Sequence, residues 1–163
     1  LSKRQVTGEV KWAKFTNEPQ FASNRKQVRG AKRRGVVYEQ KAQLELQERY
    51  QEEYLPSPWI VFEDDWKVRW CQPDGLLFQL KRGIITIVEV KYNHTNAAWN
   101  QLFNLYLPVV SRLFHTPESL WAFSTVEVVK WYDPSTVCSK PPNLCKKIDI
   151  SRPNEFGVWI WRP

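Results

Sequence analysis

Methionine is absent from these 163 residues, and cysteine, histidine and glycine number only three, two and six. Without a methionine, Leu1 is not expected to be the native start. Cys71, Cys138 and Cys145 form no CxxC pair, and only His94 and His115 are available to supplement them. A zinc ribbon needs four nitrogen or sulfur ligands in tight pairs, and a four-cysteine iron–sulfur site is excluded by count. The thiols therefore read as ordinary buried or surface groups, and a Cys138–Cys145 bridge would need an oxidising setting that nothing else suggests. No stretch approaches the ~20 apolar residues of a membrane span, and Leu1-Ser2-Lys3-Arg4 opens no hydrophobic signal segment. The expectation is a soluble, cytoplasmic protein. Internal repeats are also lacking. What is present is a one-domain length with 42% hydrophobic residues, nine Trp, six Tyr and eight Phe, too apolar and aromatic for a disordered chain.

Acidic residues are scarce at the front. Residues 1–35 carry Lys3, Arg4, Lys11, Lys14, Arg25, Lys26, Arg29, Lys32, Arg33 and Arg34 against only Glu9 and Glu18, a net +8, while the remaining 14 basic and 15 acidic residues give −1. A cationic leader on a near-neutral body suits a polyanionic partner, because each cation placed at a phosphate releases condensed counterions. Nucleic acid is the first candidate, with Trp12, Phe15 and Phe21 interleaved as stacking groups. A solvated tail, a localisation signal or an acidic-membrane contact would read the same way.

Val36–Tyr54 lacks Gly and Pro, is rich in Gln, Glu, Leu and Arg, and predicts a helix whose inner face carries Glu39, Leu46 and Tyr50. Leu55-Pro56-Ser57-Pro58 ends it. Strand patterns follow at Trp59–Glu63, Lys67–Cys71, Leu76–Leu80 and Ile84–Tyr92, with Asp64-Asp65 as a turn. A second helix is predicted over Asn96–Phe114 with Pro108 as a kink, then a strand over Leu120–Trp131, a loop over Asp133–Pro153 and a last strand at Phe156–Trp161. His94 reads as a loop surface group, and Trp59, Trp70, Trp99, Trp121, Trp159 and Trp161 as core or sheet-packing residues. This order predicts an α/β or α+β fold around one mixed sheet flanked by helices.

The stretch 71–92 concentrates the chemistry. A two-residue turn at Arg82-Gly83 pairs Lys81 with Ile84, so that Leu80 faces Ile85, Leu76 faces Glu89 and Asp74 faces Lys91, all on one side of the sheet. Ile84–Val90 is apolar on both faces, as in a covered central strand, where an ionised Glu and Lys need compensation. Alone, Pro73-Asp74-Gly75 is an ordinary turn and Glu89-Val90-Lys91 a same-face ion pair. Together, two carboxylates and the Val90 carbonyl are hard oxygen donors suited to Mg²⁺ or Mn²⁺, and the adjacent Lys91 suits a water or a phosphate.

Pro73-Asp74, a spacer holding one hairpin, Glu89-Val90-Lys91 and a following helix resemble the motif of the PD-(D/E)XK phosphodiesterase superfamily. That superfamily includes restriction endonucleases, Holliday-junction resolvases and RecB-like and lambda-exonuclease-like nucleases. The resemblance covers roughly residues 36–131 and implies a restriction-endonuclease-like αβββαβ core, giving a basic arm over 1–35 and a nuclease-like domain over 36–163. It implies that Asp74 and Glu89 bind the metal, that Lys91 positions or activates the attacking water, and that Glu39 is the acidic residue of the first core helix. RecB-like members carry Gln-x-x-x-Tyr on the second helix. Here Gln101 and Tyr106 are one residue too far apart, so Gln101 is carried over and Tyr106 is left as a packing residue. The expected function is a Mg²⁺-dependent DNA endonuclease, with a phage, mobile-element or recombination setting. The alternatives are a non-catalytic nucleic-acid-binding or assembly protein on the same fold, and a ribonuclease. Two cuts in a duplex or junction would favour a homodimer.

Overall fold

The computed structural model describes residues 5–23, 29–135, 142–151 and 156–163. It is a mixed α/β structure built on two sheets. Six strands form a central mixed sheet in the order β2-β5-β6-β7-β9-β8: β2 (Tyr54–Pro56), β5 (Gly75–Gln79), β6 (Ile84–Asn93), β7 (Ala122–Trp131), β9 (Phe156–Trp161) and β8 (Asn143–Cys145). The β6, β7, β9 and β8 strands are mutually parallel, while β2 and β5 add an antiparallel edge. The expected strands at 59–63 and 67–71 do not join that sheet. As β3 (Trp59–Asp64) and β4 (Lys67–Cys71) they form a separate antiparallel sheet with β1 (Val10–Thr16). Asp65 and Trp66 both take positive φ between β3 and β4, as a tight hairpin turn requires.

Side-chain alternation divides the core. Val88, Val90, Val126 and Val128 point to helix α1 (Ala31–Tyr50) and pack on its Tyr38, Ala42 and Leu46. Ile85, Ile87 and Val129 point the other way, onto a second helical run and the small sheet, through Leu102, Leu105, Val109, Ile60 and Phe62. Both faces of β6 and β7 are thus covered, so the middle residues of these strands are buried whichever way they point.

Helix α1 starts five residues before the expected Val36, running through Gly35, and stops at Gln51, where φ is +47°. Tyr54 is then free to enter β2 rather than extend the helix. The second helical run is α2 (Asn96–Gln101), a π-helical turn over Leu102–Tyr106, and α3 (Leu107–Leu113). Pro108 has no amide to offer its preceding turn; the Asn104 carbonyl instead accepts the Val6 amide at 2.7 Å. The 133–153 segment contains β8 and two fully buried residues, Ile148 and Ile150. The Tyr50 hydroxyl accepts the Ile150 amide at 2.7 Å, and Gln79 Nε2 donates to the Ile150 carbonyl at 2.9 Å.

The leader is not a detached arm where it is described. Lys11 and Lys14 lie on β1, which packs on the end of α3 through Phe15 and Phe114, centroids 6.0 Å apart. Lys32, Arg33 and Arg34 form the first turn of α1, just after Arg29. Lys3, Arg4, Arg25, Lys26 and Cys138 lie outside the described residues. Cys71 is a buried free thiol and Cys145 a half-buried one. Of the named tryptophans only Trp161 is fully buried; Trp70 is 38% exposed and the others are intermediate. Among the described residues no helix is long and apolar enough to cross a membrane.

Candidate active site

The β5–β6 hairpin sets the site. Its turn is a 3₁₀ turn at Leu80–Arg82 closed by Gly83 at φ +62°, so Gln79 pairs with Ile84 and Leu76 with Ile87. This corrects the expected register by two residues: Leu80 leaves the strand and is 65% exposed, and Asp74 comes level with Glu89 rather than Lys91. Because side chains alternate with period two, a two-residue shift keeps every side chain on its face, whereas a one-residue shift would have reversed them.

Pairing of β5 with β6 begins at Gly75, which leaves the next β6 amide on that edge, that of Val90, without a strand partner. The Asp74 carboxylate takes it, with Oδ2 accepting from Val90 N at 2.6 Å. The Asp74 backbone is held just as firmly. Its carbonyl accepts from Gln43 Nε2 at 2.6 Å and Ser57 N at 2.9 Å, and the Tyr54 hydroxyl, 3.3 Å from the same oxygen, is 2.8 Å from Gln43 Oε1. Gly75 also has a packing role that its turn-like motif concealed: a Cβ there would lie 2.1 Å from the Tyr54 hydroxyl oxygen.

Glu89 is 1% exposed and pairs with the Lys91 ammonium through Oε1. Burial first, then the Glu89 charge, hold the Asp74 carboxyl well above its ordinary range, against the pull of Lys91 and the Val90 amide. Lys91 loses some basicity to burial, but Glu89, Asp74 and Glu39 outweigh that and raise its pKa. The α1 residue Glu39 therefore acts on the cluster through its field, one turn before Gln43.

The helical run covering this face carries a further pair. Gln101 Nε2 donates to the Tyr106 hydroxyl, which itself donates to the Gln72 carbonyl at 2.9 Å. The π-turn between them absorbs the residue that made their spacing one too long for an α-helix, so Tyr106 is more than a packing residue. π-Turns inserted into α-helices recur at functional sites. Burial, then Glu89 and Asp74, drive the Tyr106 hydroxyl pKa far upward, keeping it a neutral donor.

Behind Glu89, Glu127 of β7 lies level with it across the parallel pair. Its Oε2 is 2.5 Å from His94 Nδ1, and both side chains are fully buried. His94 is therefore not the surface group expected of a loop histidine. Burial, and next the Glu89 charge, push Glu127 from 4.5 up to about 8, while burial lowers His94. By contrast Asp64 is structural: its carboxylate accepts from Arg69 Nε at 2.8 Å and Thr7 N at 2.6 Å.

Among the described residues no group of three or more His, Cys, Asp or Glu side chains is arranged to hold a metal. The available donors are Asp74, Glu89 and the Val90 carbonyl, all hard oxygen. Their chemistry fits a Mg²⁺-type ion that keeps several waters, and positive charge there would oppose the burial and the Glu89 charge that raise the Asp74 pKa. The sequence pointed to Asp74, Glu89, Lys91, Glu39 and Gln101, which the structure places around the end of the β5–β6 pairing or on the helices that cover it. It did not point to Gln43, Tyr54 or Glu127, which the structure sets against the same cluster, although Gln43 one turn after Glu39 was a readable signal. No protein-family model, curated protein or solved structure matches this chain.

Proposed function

We propose that this protein is a Mg²⁺- or Mn²⁺-dependent nuclease that hydrolyses DNA phosphodiester bonds, on a restriction-endonuclease-like core. The observation that carries the reading is the meeting of Asp74, Glu89 and Lys91 where β5 pairing stops. An ion held by Asp74, Glu89 and the Val90 carbonyl would polarise the phosphoryl oxygen and acidify a bound water. Lys91, its pKa raised by the surrounding carboxylates, stays an ammonium at neutral pH. It therefore orients the attacking water and offsets charge growing on phosphorus oxygens rather than removing a proton. The neutral Tyr106 hydroxyl and Gln101 fix the Gln72–Asp74 backbone from above, and Gln43 and Tyr54 fix it from α1 and β2. Each restrains where the Asp74 carboxylate points.

The test is cleavage of supercoiled, linear, branched and single-stranded DNA, and of RNA, with Mg²⁺, Mn²⁺ or EDTA, by the wild-type protein and K91A. Metal-dependent cleavage of DNA that K91A abolishes supports the reading. K91A cutting at the wild-type rate removes the role of Lys91. A wild-type protein that binds DNA but cuts nothing with either metal leaves a non-catalytic binding protein, and preferential cutting of RNA makes it a ribonuclease.

A further inference from the structure

A cavity of about 280 Å³ opens beside α1 and is lined by Arg33, Arg34 and Lys41 of that helix, Lys130 of β7, and the aromatic rings of Tyr38 and Tyr92. No Asp or Glu side chain lines it, and none of the four cations forms an ion pair with a described residue. Arg33 and Arg34 occupy the first turn of α1, which holds no acidic residue. Helix dipoles make that end positive, so cations there work against folding. Their clustering around a hollow that no acidic side chain lines is explained by an anion that enters from outside.

The floor supplies the second half of a recognition site. The Tyr38 and Tyr92 rings meet edge to face at 6.0 Å, and Lys130 Nζ lies 5.2 Å from the Tyr92 centroid. Tyr38 is fixed by donating its hydroxyl to the Trp161 carbonyl at 2.8 Å, whereas Tyr92 is half-buried and lines the opening. Tyr92 directly follows Lys91 on β6 and points to the α1 face, while Lys91 points to the opposite one. The cavity therefore sits at the carboxyl end of the parallel strands, where ligands of open α/β sheets bind, one residue beyond the carboxylate–lysine cluster.

We infer that this cavity holds a nucleotide of a single nucleic-acid strand, with the phosphate against Arg33, Arg34, Lys41 and Lys130 and the base against Tyr92. The choice of a nucleic-acid strand as the occupant rests on the nuclease reading; the anion and the aromatic contact rest on the cavity itself. The experiment is fluorescence anisotropy of a labelled 12-nucleotide single strand in EDTA, over a salt series, so that binding is read without cleavage. The R33A/R34A variant should bind about tenfold more weakly, and its log K against log salt slope should fall by about 1.4, since each neutralised phosphate of a single strand contributes about 0.7. Y92L should lose about tenfold through the missing stack, with the slope unchanged. R33A/R34A should also melt no lower than wild type, because two cations have left a positive helix end. Unaltered affinity and slope in R33A/R34A would overturn the inference, as would free AMP competing as tightly as the strand, which would assign the cavity to a mononucleotide. If the wild-type protein fails to cut DNA while these binding losses occur, the nuclease reading falls and the cavity stands; cutting with indifferent binding gives the reverse.

Discussion

Replacing Glu127 by glutamine should strengthen the fold, and increasingly so as pH rises. Glu127 is fully buried, with its Oε1 lacking a hydrogen-bond partner among the described residues and its Oε2 against His94. Its pKa rises from 4.5 to about 8, through burial first and the Glu89 charge second. A carboxyl whose folded-state pKa exceeds its unfolded one holds its proton more tightly in the native state. Its contribution to stability is complete below the unfolded value near 4.5 and is lost as pH climbs to about 8. At about 1.4 kcal/mol per pH unit, the loss between the ordinary carboxyl pKa and pH 7 amounts to ~3 kcal/mol. A glutamine amide has no proton to lose and still offers His94 a donor. His94 itself runs the opposite way: burial lowers its pKa, so its contribution is present above the unfolded value near 6.5 and fades as pH falls. Because His94 touches Glu127, the difference between the two proteins reads the titration of the pair, in which the larger carboxyl shift dominates. Urea unfolding at pH 5, 6, 7 and 8 in EDTA measures that difference directly. E127Q should gain on wild type with every step upward, reaching ~3 kcal/mol near neutrality. A gap that does not change with pH, or a variant weaker than wild type at pH 8, would refute the assignment of a native proton to Glu127.

Asp74→Asn should separate stability from activity. The amide removes a buried charge that Glu89 opposes while keeping an oxygen for the Val90 amide, so the metal-free variant should melt higher than wild type at pH 8 by differential scanning calorimetry. If the proposed nuclease activity holds, metal-dependent cleavage should fall by roughly 10²–10³, the scale of losing one group that stabilises developing charge; a variant that melts lower and cuts normally contradicts both halves. Gly75→Ala should cost ~1–3 kcal/mol through overpacking, because the new Cβ would lie 2.1 Å from the Tyr54 hydroxyl oxygen and 2.3 Å from Cζ. In a double-mutant cycle Tyr54→Ala should cost less in the G75A background than in wild type; strictly additive losses would mean that the two residues do not crowd each other.

Patterns with a short period were legible in the sequence. Strand alternation at 59–63, 67–71, 76–80 and 84–92, and the faces of Asp74, Glu89 and Lys91, all follow from local rules that survive a two-residue slip in register. The features that escaped depend on distant chain. Strand β1 hides in a run of alternating cations and aromatics that resembles an arm, and only its pairing with β3 makes it a strand. The short β2 and β8 exist because edge positions were open beside β5 and β9. Residue spacing implied an α-helical period over 101–106, and the π-turn that unites Gln101 with Tyr106 becomes favourable only where Pro108 and Val6 rearrange the carbonyl partners of that turn. His94 sits in a sequence that reads as loop, and its burial is set by Glu127, 33 residues away.

The Val6–Asn104 hydrogen bond alters how this protein can be dissected. The first segment of the chain serves as a splint for the helix above the carboxylates, through the same residues that lead into β1. Trimming the front of the molecule to strip its positive charge would therefore also unfasten the splint, and a loss of stability would be mistaken for a loss of charge. Charge is better subtracted residue by residue, with Gln5 onward left intact.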